Sequence, residues 1–359
     1  MDSISKNLRH LACSLPLILL VSCQSRATDR MVIQVSRGDG SFFYQILDPR
    51  HPAKARELDL ACEDPLWSPF RDIVACSTPT REIRIFDGRD GSVRGIIPGT
   101  GNTWSPSDWS PDGRSLAISG LVNRNYEVFV ARTVDGQNWS LTQLTFDPVM
   151  EDISSRWSPD GNLILIHSET ASDGLPDCPL YWCDILKIVT PEGVVVLRFR
   201  LDTIDGYEGG PSTVASWSSD GNQLGLMGWH LIDIHNGHVT DLLPEQAGRL
   251  CTDFPPEWSP NGKVLLFQAE DCENRGPGNH RMYIFTVNVD GSSLRKLSEG
   301  AYTNRSQPSW TSDGNSIVFD RYENGNWQVF IMNSDGTNLR SLTDIDEDAY
   351  FLQWLPPNR

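Results

Sequence analysis

The chain has 359 residues and carries 30 Lys and Arg against 47 Asp and Glu, a net charge of −17. That balance, with no Lys/Arg patch along the sequence, argues against nucleic acid or another polyanion as partner. Few long apolar runs, with 29 Gly, 23 Pro and 12 Trp, favour a large soluble all-β domain.

Residues 1–22 have the layout of an export signal. Lys6 and Arg9 form a basic start, and Leu11 to Val21 form an apolar run shorter than the roughly 20 residues that span a bilayer. Leu20-Val21-Ser22-Cys23 then resembles a bacterial lipobox. That resemblance implies removal of the signal, acylation of Cys23 and a lipidated tether over 23–30. Gln24 is, by resemblance to enteric lipoproteins, compatible with the outer membrane, and the expected location is the periplasm or the cell surface. The alternatives are simple secretion or a buried anchor.

Residues 31–62 contain three strand candidates, Met31 to Val35, Phe42 to Leu47 and Ala55 to Leu60, without a leading Trp turn. A repeated sentence then begins. Trp109, Trp157 and Trp258 are followed by Ser-Pro-Asp-Gly or Ser-Pro-Asn-Gly, and Trp217 and Trp310 keep the turn without Pro. In such a type I turn Pro sets φ, Ser bonds nearby backbone, and Gly takes the position where φ becomes positive. Trp67 keeps Ser68-Pro69 but continues Phe70-Arg71, so its turn must differ. An apolar strand follows each turn, then an aromatic and β-branched strand, a Gly turn, and a strand closing on Leu-Thr or Leu-Ser, as at Leu144-Thr145, Leu297-Ser298 and Leu342-Thr343. Four strands per unit of this length make one propeller blade.

The Trp-Ser-Pro-Asp-Gly units resemble the WD40-like repeats of TolB-type β-propeller proteins, over nearly all of the chain after residue 30. The resemblance implies a propeller and says less about function, because enzymes and binding proteins both carry these repeats. TolB-type proteins place an α/β domain before the propeller, where this chain has only the short tether. That departure weighs against a role in the Tol energy-coupling machine. TolB itself is periplasmic and not lipidated.

Six Trp-led units and the N-terminal strands predict seven blades over 31–354, about 46 residues each. Tyr350 to Trp354 supplies the missing inner strand for the N-terminal three, because an open ring would leave raw sheet edges. Six or eight blades are the alternatives. Trp67, Trp109, Trp157, Trp217, Trp258, Trp310 and Trp354 are expected to pack between blades.

Downstream of Cys23, six cysteines allow 15 connectivities, of which Cys62–Cys76, Cys178–Cys183 and Cys251–Cys272 is the simplest. Free buried thiols are the alternative, and they conflict with export. The spacing does not suit zinc, and His235-Asn236-Gly237-His238 reads as a solvated turn.

Alternating strand direction puts the tight Asp-Gly turns on one face and nearly all the long loops on the other. The loop-rich face is the expected working surface. It is acidic, with Glu63, Asp64, Glu151, Asp152, Asp202, Asp205, Glu208, Asp253 and the run Asp344 to Asp348. Tyr181, Trp182, Tyr207, Phe254 and Tyr350 are interleaved. Such a surface suits a protein or glycan of the cell envelope. Asp346, Glu347 and Asp348 are candidate Ca²⁺ ligands, although no cofactor is required. A plain solvated face is the bland alternative. No nucleophile elbow, His-Glu-x-x-His or phosphate loop is present, so a monomeric, non-catalytic binding or scaffold module is expected, contacting the membrane only through its anchor. The rival is a channel-centred enzyme, either a polysaccharide lyase, which by resemblance to the oligogalacturonate lyases would use His167 or His230 with metal ligands in the channel, or a glycoside hydrolase using paired carboxylates across the mouth.

Overall fold

The computed structural model describes residues 29–69, 72–80, 82–98, 104–171, 182–204, 215–227, 229–243, 249–252, 254–274, 282–298 and 307–355. The chain enters as β1 (Arg30–Ser36), β2 (Phe42–Leu47) and β3 (Arg56–Leu58). The second blade is β4 (Glu63–Trp67), β5 (Ile73–Ser77), β6 (Ile83–Asp87) and β7 (Val93–Ile96). The third is β8 (Trp104–Trp109), β9 (Ser115–Val122), β10 (Asn125–Thr133) and β11 (Trp139–Gln143). The fourth is β12 (Glu151–Trp157), β13 (Ile164–Ala171), β14 (Trp182–Val189) and β15 (Val195–Arg200). The fifth is β16 (Ala215–Trp217), β17 (Gln223–Leu226), β18 (His230–Asp233) and β19 (Val239–Asp241). In the sixth the inner strand is split: β20 (Leu250–Cys251) and β21 (Glu257–Trp258) both pair with β22 (Val264–Asp271), which precedes β23 (Tyr283–Asn288) and β24 (Arg295–Lys296). The seventh is β25 (Ser309–Trp310), β26 (Ser316–Glu323), β27 (Asn326–Asn333) and β28 (Arg340–Ser341).

The last strand, β29 (Asp348–Leu355), pairs antiparallel with β1 from Arg30↔Leu355 to Ser36↔Asp348. The first sheet is therefore β29-β1-β2-β3, and seven sheets form the ring. Expected closure by the chain ends and the seven-blade count both hold. The alternatives of six and eight do not.

The turns form as their residues dictate. The Ser110 hydroxyl donates to Asp112 Oδ1 at 2.6 Å and accepts the Ser115 N–H at 2.9 Å, while Gly113 N–H donates to the Ser110 carbonyl at 2.8 Å. Gly113 sits at φ 62°, a region other residues enter only with strain. The closing Leu-Thr pairs also acquire a job. Thr145 Oγ1 accepts Val128 N–H and Thr343 Oγ1 accepts Val329 N–H, each at 2.9 Å, and Ser298 Oγ accepts Ile284 N–H at 3.0 Å. A hydroxyl thus satisfies a buried donor on the third strand where the ladder ends.

Apolar clusters fill the seams between adjacent blades. Trp67, Trp109, Trp157, Trp258 and Trp310 are buried in those seams, and Trp217 and Trp354 pack against them partly buried. The stabilising area therefore lies between blades rather than in one central core. Two disulfides form as expected, Cys62–Cys76 and Cys251–Cys272. Cys178 lies outside the described residues, as does the side chain of Cys183.

Candidate functional site

The inner strands line the axis, and on three of them the residue before the leading Trp reaches toward the next blade. Asp108 Oδ2 accepts the Trp157 N–H at 2.8 Å, and Glu257 Oε1 accepts the Trp310 N–H at 3.0 Å. Gln353 accepts the Trp67 N–H at 3.1 Å and donates to the Trp67 carbonyl at 2.9 Å. Several indoles return the contact: Trp109 Nε1 donates to the Leu66 carbonyl at 2.9 Å, Trp217 Nε1 to the Arg156 carbonyl at 3.3 Å, and Trp258 Nε1 to the Ser216 carbonyl at 3.4 Å. Burial pushes Asp108 up to about 6, against the Arg156 guanidinium and two backbone N–H bonds. Burial likewise pushes Glu257 up to about 7, against its Trp310 and Ser309 bonds and Arg156. No sequence motif marked this girdle, because the residue type changes from blade to blade.

The opposite end of the channel is the loop-rich face. Asp344 and Asp346 are exposed there and Glu347 is half-buried; their carboxylates make no hydrogen bond or ion pair among the described residues. The turn that presents them is held by Gln328, whose Nε2 donates to the Ile345 and Glu347 carbonyls at 2.9 and 3.0 Å. Asp348 is different: its Oδ1 accepts the Trp327 N–H at 2.8 Å, so it is spent on structure. The Ca²⁺ candidates Asp346, Glu347 and Asp348 do not converge on one point. Exposed apolar side chains share this end of the ring. Tyr322 and Ile345 belong to the seventh blade and its exit, in the same stretch of chain as these acids, while Phe146, 72% exposed, and Val149 lie where the chain leaves the third blade.

Two expected surface residues lie inside instead. Asp152 is fully buried between the third and fourth blades, where Lys187 Nζ lies 2.9 Å from its Oδ1 and the Ser168 hydroxyl also donates to it. A register shift between Asp152 and Ser154 turns the side chain inward, and the buried lysine compensates its charge. Tyr350 is buried beside Trp327, with ring centroids 6.2 Å apart. Phe254 is half-buried and helps line an apolar cavity over Trp229, His230 and Phe267. Cys23, Tyr181, Tyr207 and Asp253 lie outside the described residues, as do the side chains of Glu63, Asp64 and Trp182.

The fourth blade's other flank carries a polar group that the sequence reading only grazed through His167. His167 and Glu169 are two apart on β13 and so share a face, and Asp184 stands directly opposite Glu169 on β14. His167 Nε2 lies 3.3 Å from Asp184 Oδ1. Glu151 on β12 pairs with Glu169 from the other side. Burial raises the Glu169 pKa; His167 opposes this, and Asp184 and Glu151 add to it. Among the described residues this is the one set of three His, Cys, Asp or Glu whose ligand atoms lie within 4.8 Å of one another.

No family model matches the chain. It is similar to an uncharacterized protein of Agrobacterium fabrum, 24% identical over 290 residues that cover 73% of this chain and 83% of that one. It is also similar to the uncharacterized peptidase YuxL of Bacillus subtilis, 27% identical over 212 residues, covering 57% of this chain and only 28% of the peptidase. Among solved structures, a puromycin hydrolase S511A mutant matches at TM-score 0.58 and 15% identity, over 89% of this chain and 55% of that one. Oligogalacturonate lyase in complex with manganese matches at 0.54 and 14%, over 82% and 83%. TolB from Acinetobacter baumannii is similar at 0.49 and 15%, over 90% and 82%. Puromycin hydrolase and the lyase, both below 25% identity, share the β-propeller fold with this chain.

Proposed function

We propose that the protein is a non-catalytic binding module of the bacterial cell envelope that takes a cationic protein segment on its loop-rich face. The observation that carries this reading is that one end of the ring presents the carboxylates of Asp344, Asp346 and Glu347, which have no partner among the described residues, together with exposed Tyr322 and Ile345 on the same blade and its exit and exposed Phe146 farther round the ring. Charge of one sign steers a partner of the other, and exposed aromatic surface supplies contact area once it arrives. A glycan is the alternative ligand. It is less favoured because Tyr350 is buried and unable to stack on a sugar.

Export is supported by the two disulfides. Acylation at Cys23 would also orient the molecule. The chain leaves the ring at Asp29, whose carboxylate accepts the backbone N–H of Ser312 at 3.0 Å, on the tight-turn face. Residues 23–28 reach at most about 20 Å when extended. The turn face then lies toward the membrane and the acidic loop face points away, open to a partner.

The test is retention of envelope proteins on the immobilised chain at low and high salt. Saturable retention that falls with salt, and that weakens in an Asp346→Asn/Glu347→Gln variant, is expected. Retention indifferent to both would contradict the reading.

A further inference from the structure

We propose that His167, Glu169 and Asp184 bind one divalent transition-metal ion of the Zn²⁺ kind, in the seam between the fourth and fifth blades at the loop-rich rim. This site is separate from the partner-binding reading above and stands or falls without it.

The backbone register gathers acidic side chains at one point. Glu151, Glu169 and Asp184 stand side by side on three neighbouring strands, Glu151↔Glu169 and Glu169↔Asp184. Like charges directly opposite on one sheet face repel. Here they do so in a partly desolvated seam, with Asp184 at 8% exposure and His167 at 3%. The His167 imidazole lies among them, and the geometry favours a metal ion there.

The imidazole explains why. His167 turns Nε2 toward Asp184, while its buried Nδ1 has no partner. His167 also lines a cavity of about 10 Å³ with Ser154, Arg156 and Ala215. That volume is about what one water needs. A water there would accept the Nδ1–H, fixing the tautomer whose Nε2 lone pair faces the two carboxylates. Lone pair and carboxylate oxygens then confront one another, which is a ligand set rather than a hydrogen bond. A ligating histidine is ordinarily held in this way through its other nitrogen.

The donor set selects the ion. One imidazole nitrogen with carboxylate oxygens suits Zn²⁺ or its transition-metal neighbours, whereas Ca²⁺ takes six to eight oxygens. The ligand atoms lie within 4.8 Å of one another. Side-chain rotation has to draw them to about 3.3 Å for bonds near 2 Å in tetrahedral geometry. Three protein ligands leave a fourth position open to water or to a group from outside.

The test uses the full-length untagged chain, stripped of metal by chelator dialysis and titrated with Zn²⁺ calorimetrically and with Co²⁺ by absorption. We expect one ion per chain and ligand-field bands of a nitrogen–oxygen site for Co²⁺. Glu169→Gln and Asp184→Asn should each weaken Zn²⁺ at least about tenfold, since even outer-shell changes cost that much. Asp220→Asn, on the turn face, should leave it unchanged. Circular dichroism confirms that each variant is folded, and His167→Gln is read only if it passes. No uptake at 100-fold excess Zn²⁺ over chain, or uptake that Glu169→Gln and Asp184→Asn leave unaltered, overturns the proposal.

Discussion

Asp108 Oδ2 accepts the backbone N–H of Trp157 at 2.8 Å, tying the inner strand of the third blade to that of the fourth. Glu257 does the same for Trp310, and Gln353 for Trp67. The last of these links a residue six positions from the C-terminus to the first Trp-led blade, across 286 positions of sequence. Ring closure is therefore made twice, by the β29–β1 ladder and by this side chain.

The girdle makes stability depend on pH. Asp108 rises from 3.8 to about 6 and Glu257 from 4.5 to about 7 on folding. Between roughly pH 4 and pH 7 the folded chain holds protons that the unfolded chain has released. Their contribution is complete below about pH 4 and is lost as pH rises through 6 and 7. The melting temperature should fall between pH 5 and pH 8. An Asp108→Asn/Glu257→Gln chain, whose amides still accept both Trp N–H bonds, should show a flatter profile. An identical slope in both would refute the assignment.

The indoles are not equivalent. Trp109 Nε1 donates to Leu66, whereas the buried Trp157 Nε1 has no partner. Trp109→Phe leaves a carbonyl without its donor, and Trp157→Phe removes an unsatisfied one. Urea unfolding should place Trp109→Phe below Trp157→Phe by about 1–3 kcal/mol.

Lys187 is buried with Asp152 and also lies 3.4 Å from Asp147. Lys187→Met strands the Asp152 charge and should cost about 3–5 kcal/mol. Adding Asp152→Asn should recover a large part of it. Additive losses in a double-mutant cycle would show that the pair is not coupled.

The disulfides close loops of 14 and 21 positions. Loop entropy alone assigns about 3 kcal/mol to each. Cys62→Ala/Cys76→Ala should lower the urea midpoint and steepen the slope, because the freed denatured chain exposes more surface, and reductant, which opens both bridges, should lower the midpoint of the unaltered chain further.

What the sequence disclosed was what local chemistry decides. Ser-Pro-Asp-Gly makes its turn with its own atoms, so Ser110 to Gly113 could be read without a partner. The leftover strands at 31–62 and 350–354 could be joined because sheet edges demand it. Leu144-Thr145 was visible as a pattern, but its role depends on Val128, seventeen residues from Thr145. Asp152 and Tyr350 were misplaced because both were read as part of the loop-rich face, whereas β12 starts at Glu151 and β29 at Asp348, and each side chain is buried within its strand. The His167–Asp184 pairing was hidden because the register of β13 against β14 is set across a ten-residue connection, too long for its turn residues to fix which positions face each other. The His-x-Glu spacing at 167 and 169 was the only trace of it.

If the acidic loop face, and not the turn face, meets the partner, site-specific photocrosslinking in the living cell will show it, with the probe at position 146 or 346 on the loop face and at 220 on the turn face. Discrete adducts are expected from 146 and 346, diminished by salt, and none from 220. Adducts from 220 alone would contradict this.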